Sequence, residues 1–263
     1  MFLQEINVIF NKINIFLCKL GIFSSNLKNY ENDKLNTYII NKTKKIFIEK
    51  DCENLKINQI RALHFSWFIK KNNFHKVLDF GGGAGYHYFL TKNFLENKYN
   101  LDWNVVENDT MVNLCIKKIN IKKLFYFNNL LKVKKKIDII FSSCAINYCQ
   151  CPKKILNDLF NFPCKYYYFT RTHLSEKNDI EFDQFSMLSE NGPGKLFIKK
   201  DEIVKVRNKI LAKNNFEKII KKHCEILFSF KDEEKSLSYK ENVNSYTYIL
   251  KKNKKFIKST QYN

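Results

Sequence analysis

Glycine and proline are nearly missing from this chain, with seven and three residues among 263. Lysine, asparagine, isoleucine, phenylalanine and tyrosine take their place, the bias expected when an AT-rich genome pushes codon choice. Acids are short as well: 26 stand against 46 lysines and arginines, a formal charge of +20. Such a charge attracts any polyanion. The lysines are nevertheless scattered in pairs and triplets, such as Lys134 to Lys136 and Lys251–Lys252, with no long block interleaved with aromatics. The charge therefore reads as compositional, and no specific nucleic-acid partner is expected.

There is no CxxC pair. The eight cysteines stand at 18, 52, 115, 144, 149, 151, 164 and 224, and Cys149 and Cys151 are too close for a zinc knuckle. A reduced protein with no metal site and no disulfide framework is expected. No run reaches the roughly 18–20 apolar residues of a membrane span. The N-terminal stretch is broken by Glu5, Lys12 and Lys19, and it lacks a basic start with a small-residue cleavage site, so a cytoplasmic location is expected.

What is present is a folding composition, 44% hydrophobic and 15% aromatic. Phe2, Ile6, Ile9, Ile13, Phe16, Leu17 and Leu20 recur at helical spacing. That helix either packs on the main domain or makes a peripheral contact with a membrane surface or partner, and the spacing leaves both open. Further helices are expected over 35–48 and 55–71, the latter with Ile57, Ile60, Leu63, Trp67 and Phe68 as core candidates. From His75 onward short apolar runs alternate with helix-like stretches. Strands are expected at 76–80, 103–107, 124–127, 137–141 and 166–170, with helices at 86–94, 110–118 and 152–160. This alternation implies parallel βαβ units in a doubly wound α/β sheet. A helix at 202–214 and two strands at 217–230 and 245–251 complete the expectation. The division is a helical extension over 1–54 and a catalytic domain over 55–263.

The segment richest in chemistry is Val77-Leu78-Asp79-Phe80-Gly81-Gly82-Gly83-Ala84-Gly85. An apolar strand ends in an acid, glycines follow at alternate positions, and a helix begins. Glycine lets the backbone turn sharply and approach a ligand where a Cβ would collide. The following helix N-terminus offers free N–H groups to a carboxylate, and Asp79 suits a ligand carrying an ammonium and a sulfonium. A dinucleotide loop would need its third glycine at 86, which is Tyr86, and no lysine followed by serine or threonine supports an NTPase. The next strand ends in Glu107, whose two oxygens can accept both ribose hydroxyls. Asn128 follows the third strand and can accept from an adenine amino group. Ser142 and Ser143 end the fourth strand, where ligand crevices of open α/β sheets lie. Past the fifth strand, Arg171 can hold an anionic acceptor group and His173 can take a hydroxyl proton near neutral pH. Both can equally be ordinary loop residues, and Tyr148 and Asp183 are the next candidates for the proton acceptor.

The GxGxG spacing with its preceding acid resembles the first motif of class I S-adenosylmethionine-dependent methyltransferases. Over about 59–197 the chain resembles a group of bacterial methyltransferases found mostly with surface-polysaccharide genes. The likeness rests on Val77 to Gly83 with Gly85, Tyr86 and Tyr88, on Trp103 to Glu107, on Ser142–Ser143 with Tyr148, and on Arg171–Thr172. It implies a Rossmann-like, seven-stranded, mostly parallel sheet with helices on both faces and S-adenosyl-L-methionine as cofactor. Asp79, Gly81, Gly82, Gly83, Gly85, Glu107, Asn128, Ser142 and Ser143 would then bind it. A small-molecule or glycan acceptor follows, with O-methylation of a sugar intermediate in polysaccharide biosynthesis as the expected reaction. The Pro-Gly-Gly turn found beside the fifth strand in many small-molecule methyltransferases is absent. RNA methylation and a non-catalytic cofactor-binding scaffold are the alternatives. Against RNA, there is no Asn-Pro-Pro-aromatic motif, and Pro163-Cys164 opens the fifth strand instead of closing the fourth.

Overall fold

In the central strands side-chain parity decides the layering. The computed structural model describes residues 2–25, 27–49, 56–134, 136–198, 201–232 and 242–253. Strands β2 (Lys76–Phe80), β3 (Asp102–Val106), β4 (Leu124–Phe127), β5 (Ile139–Ser143) and β6 (Tyr166–Ser175) lie in parallel. Val77, Trp103, Val105, Ile139, Phe141 and Tyr168 point to one face, whose cover includes the helices α2 (Asp33–Glu49) and α3 (Lys56–Lys71). Leu78, Val106, Ile140, Tyr167 and Phe169 point to the other, against α6 (Pro152–Asn161) and α7 (Lys213–His223). Strands buried on both faces read as largely apolar runs, as these do, with Asp79 and Asn104 buried as polar exceptions.

The sheet is completed by β9 (Cys224–Lys231) and β10 (Val243–Lys252), giving the order β4-β3-β2-β5-β6-β10-β9 with β10 antiparallel to both neighbours. This is a Rossmann-like sheet of seven strands, one of them antiparallel, as the resemblance implied. Helices α4 (Tyr86–Asn93) and α5 (Asp109–Lys118) follow β2 and β3, so the winding reverses between β2 and β5. In open α/β sheets that reversal opens a crevice at the strand C-termini.

Three expectations fail at the level of local structure. Residues 203–210 form strand β8 (Ile203–Ile210), not a helix, with Val204, Val206, Asn208 and Ile210 buried in alternation. β8 pairs antiparallel with β7 (Ile180–Met187), an element the apolar pattern does not announce, and parallel with the short β1 (Leu27–Lys28). Ion pairs from Lys205 to Asp183 at 2.8 Å and from Arg207 to Glu181 and Asp183 at 3.1 Å tie β8 to β7. Residues 217–223 belong to α7, which buries Phe216 and Ile220, so His223 ends a helix. On α3 the buried face carries Ala62, Phe65, Ser66 and Ile69, with Phe68 partly buried. Ile60, Leu63 and Trp67 are exposed, and the Lys71 ammonium covers the Trp67 ring at 4.8 Å. That helix is apolar on two sides, so periodicity alone picks the wrong one. Leu55 lies outside the described residues.

The N-terminal segment is built into this body. Leu27, Leu35, Tyr38, Ile39 and Ile40 are buried in the main core. The buried Lys42 ammonium donates to the carbonyls of Ser189 and Asn191 at 2.9 Å, which clamps α2 to the loop after β7. Burial pushes that ammonium down to about 8, against the pull of Asp201. Helix α1 (Phe2–Lys19) lies against β7 and leaves Phe10, Ile13 and Phe16 exposed, with Leu20 exposed just past its end. Among the described residues no helix is long and apolar enough to cross a membrane.

Candidate active site

A cavity of about 1030 Å³ opens at the switch point. Its floor is the C-terminal ends of β2, β3, β4 and β5. Its roof is the β1-β8-β7 sheet and the segment around Tyr30, through Gln184, Phe185, Val206 and Arg207. A pocket of this size accommodates a nucleoside ligand and a second small molecule together.

The glycine loop forms one wall. A Cβ on Gly81 would lie 2.1 Å from the Ala145 Cβ, so glycine is the residue that lets the loop abut the end of β5. Gly83, with φ of +57°, has nothing within 4 Å of its Cβ position and faces open cavity. Gly82 covers the Asp79 carboxylate, whose oxygens would be as near as 2.3 Å to an added Cβ. Gly85 packs over Leu124 and precedes α4. Asp79 therefore lies beneath the loop and off the cavity wall. Its Oδ2 accepts from the Trp103 indole at 3.0 Å and stands 3.7 Å from His87 Nδ1, while its fully buried Oδ1 has no hydrogen-bond donor.

Glu107 faces the loop across the crevice. Its Oε1 accepts from the Gly83 N–H at 3.0 Å, and its Oε2 accepts from the N–H and Nδ2 of Asn108 at 3.0 and 3.2 Å. Burial raises its carboxyl above the usual range, against these hydrogen bonds, and Asp79 adds repulsion. Asn108 also caps α5, its Oδ1 accepting from the Met111 N–H at 2.9 Å. Asn128 lines the cavity beyond β4 and donates to Asp109. An unsatisfied buried carboxylate oxygen, an open glycine cradle and a strand-end carboxylate together suit a ligand with a cation at one end and a diol at the other.

The opposite wall is formed by the ends of β5 and β6. The Ser142 Oγ donates to the Phe80 carbonyl at 3.0 Å, tying β5 to β2 away from the cavity. Ser143 lines the cavity, and its buried Oγ has no partner. Cys144, at φ of +60°, brings its Sγ to 3.5 Å from His173 Nδ1. The fifth strand runs to Ser175, longer than expected, so Arg171 and His173 lie within it. A left-handed residue at Arg171 (φ +51°) interrupts the regular pairing there, and both side chains reach the cavity. The Asn147 amide donates to the His173 carbonyl at 2.8 Å. The Tyr148 hydroxyl donates to Gln184 at 3.2 Å, and Tyr30 packs edge-on against its ring at 5.2 Å. Burial pushes both phenols up.

The crevice thus gathers Gly81, Gly82, Gly83, Glu107, Asn128, Ser143, Arg171 and His173 on one cavity, with Asp79, Gly85 and Ser142 behind its walls. Sequence reasoning passes over Cys144, Asn108, Tyr30 and Gln184. Cys144 carried a signal, since it directly follows the strand-end serines. Tyr30 and Gln184 carried none, because long-range pairing of β1, β7 and β8 places them. Asp183, a reserve proton acceptor, is instead engaged by Lys205 and Arg207. Among the described residues no cluster of three or more His, Cys, Asp or Glu is arranged as metal ligands.

No known family model matches the chain, and none of the curated proteins does either. Solved structures do resemble it in shape. An S-adenosylmethionine-dependent methyltransferase from Clostridium acetobutylicum ATCC 824 is similar with a TM-score of 0.49 and 16% identity over 79% of this chain and 95% of that one. Magnesium protoporphyrin IX methyltransferase from Synechocystis PCC 6803, with bound S-adenosylhomocysteine, is similar at 0.48 and 10% over 74% and 84%. The N-terminal domain of EvdMO1, also with S-adenosylhomocysteine bound, is similar at 0.47 and 11% over 74% and 81%.

Proposed function

We propose that this protein is an S-adenosylmethionine-dependent methyltransferase acting on a small hydroxylated acceptor, a sugar or glycan intermediate of surface-polysaccharide synthesis, in the cytoplasm. The observation that carries the reading is the Gly83–Glu107 hydrogen bond across the switch point, with open space at the Gly83 Cβ position. When bound, the cofactor supplies an electrophilic sulfonium methyl. Gly81, Gly82 and Gly83 cradle its amino-acid end, above the negative Asp79. Glu107 accepts from the ribose, and Asn128 stands at the adenine end. The roof hairpin excludes water, which strengthens every charge interaction beneath it. On the acceptor side Arg171 orients an anionic group, and His173 takes up the hydroxyl proton as the methyl is transferred.

In this reading residues 55–263 form the transferase unit, and 1–54 supply part of its roof. The exposed apolar face of α1 supports a peripheral membrane contact, which would suit a lipid-linked acceptor. The test is calorimetry on the purified chain. S-adenosylmethionine and S-adenosylhomocysteine bind, and NAD does not; tight binding of NAD alone overturns the assignment. Mass spectrometry of surface glycan with the gene deleted then separates a glycan methyltransferase, which leaves a methyl group missing, from a scaffold.

A further inference from the structure

We propose that Cys144 and His173 form a thiolate–imidazolium pair, a nucleophilic site in the acceptor half of the cavity that takes soft electrophiles and hydroperoxides. Its acceptor-side placement rests on the cofactor reading above; the ion pair does not. Three observations carry it. The Sγ of Cys144 lies 3.5 Å from His173 Nδ1, contact distance for a thiolate and an N–H donor. Both residues line the large cavity, so a small electrophile can reach the sulfur. Beside them Ser143, a residue only 8% exposed, lines the same cavity, and its buried Oγ has no hydrogen-bond partner, leaving one polar group unsatisfied next to the sulfur.

The surroundings set the charge. Burial alone would push the Cys144 thiol up, but the neighbouring His173 and its hydrogen bond, then Arg171, then the Tyr148 hydroxyl outweigh it and bring it down to about 7. The other titratable group facing the sulfur is the Tyr30 phenol, which burial pushes up and keeps neutral. The other cysteines with a resolved direction, Cys18, Cys115, Cys149, Cys164 and Cys224, are all pushed up, so Cys144 stands apart from them. Reaction with hydrogen peroxide forms a sulfur–oxygen bond and breaks the oxygen–oxygen bond. The departing hydroxide takes the proton from the His173 imidazolium and leaves as water, and Cys144 becomes a sulfenic acid. The same pairing bears on methyl transfer. One proton is shared between two bases, so the unit that accepts the acceptor's proton is the pair and not the imidazole alone.

The experiment is alkylation of the full chain by iodoacetamide from pH 5.5 to 9.5, read peptide by peptide by mass spectrometry, with the exposed Cys151 as internal comparison. Cys144 should titrate with a midpoint near 7. His173→Gln should move that midpoint up by about one unit or more. At neutral pH hydrogen peroxide should give a dimedone-trappable sulfenic acid at Cys144 ahead of Cys151. A wild-type midpoint at the ordinary thiol value of about 8.5 overturns the pair and needs no folded variant. An unchanged midpoint in a His173→Gln protein with a native melting curve overturns it too. S-adenosylhomocysteine should still bind the alkylated protein. If alkylation abolishes that binding, the acceptor-side placement is wrong. If unmodified protein never binds it, the cofactor reading falls and the thiol titration stands.

Discussion

Replacing Glu107 with alanine measures how the crevice recognises a ribose. A carboxylate offers about four lone-pair sites. In this structure Gly83 N–H, Asn108 N–H and Asn108 Nδ2 occupy three of them, which leaves one open on Oε1. One ribose hydroxyl can take the open site. A second must displace Asn108 Nδ2, which keeps its contact with the Tyr30 carbonyl at 3.3 Å, so that bond is largely an exchange. The substitution therefore removes about one net charge-assisted hydrogen bond, about 1.5–3 kcal/mol. The dissociation constant for S-adenosylhomocysteine should rise about 10- to 150-fold. Two independent bonds would instead give about 3–6 kcal/mol and a loss well beyond two decades. Calorimetry separates the cases, with circular dichroism confirming the fold. Because burial raises the Glu107 carboxyl, wild-type affinity should begin to fall on acidification at a pH above that of an ordinary glutamate. In the alanine variant that segment should be flat. An unchanged dissociation constant refutes the role of Glu107, and a loss beyond a thousandfold in a native fold refutes the lone-pair accounting.

Other outcomes follow from the same geometry. Gly83→Val sends a branched side chain into open cavity from a left-handed backbone, and cofactor affinity measured by calorimetry should drop about one to two decades, as for overpacking of 1–3 kcal/mol; wild-type affinity would show that the loop does not touch the ligand. Vesicles containing anionic lipid should co-sediment with the full chain, and Phe10→Ser with Phe16→Ser should reduce the bound fraction at least severalfold, whereas equal binding would remove α1 from the membrane proposal. Binding to unrelated RNAs should be weak, indifferent to sequence and steeply weakened by salt in a filter or anisotropy assay. A tight, sequence-selective complex at physiological salt would restore RNA methylation.

The central sheet was legible because its signals are local. Val77 and Leu78, side by side and both fully buried, mark a strand covered on both faces, and the acid-to-glycine transition marks its ligand-facing end. The same logic found β10. It failed where two patterns compete within one window. Residues 204–207 alternate, Val-Lys-Val-Arg, as a strand does, but the apolar and polar pairs flanking them break the period, and the expected helix over 202–214 does not form. In α3, isoleucine, leucine and tryptophan look like core, while Ala62 and Ser66, small enough for close packing, occupy it instead. For the site, Glu107 and the glycines announce themselves by neighbours in sequence. The Cys144–His173 contact joins the residue after β5 to β6, 29 residues apart in sequence, so only tertiary structure discloses the pairing.

The pairing of Leu27 with Val204 has a kinetic meaning. Most of the βαβ core assembles from neighbours in sequence, but the roof waits for a two-residue strand to find a partner most of the chain away. Loop-closure entropy makes such contacts late. During synthesis the glycine loop and Glu107 emerge well before β8, so a partly made chain exposes its cofactor crevice as an open apolar trough with Tyr30 unplaced. That intermediate is the species most exposed to aggregation, and a ligand that binds the completed crevice more tightly than the open one would lower its population by mass action. Slow completion of the roof, with the central sheet already protected from hydrogen exchange, is the folding behaviour this topology prescribes.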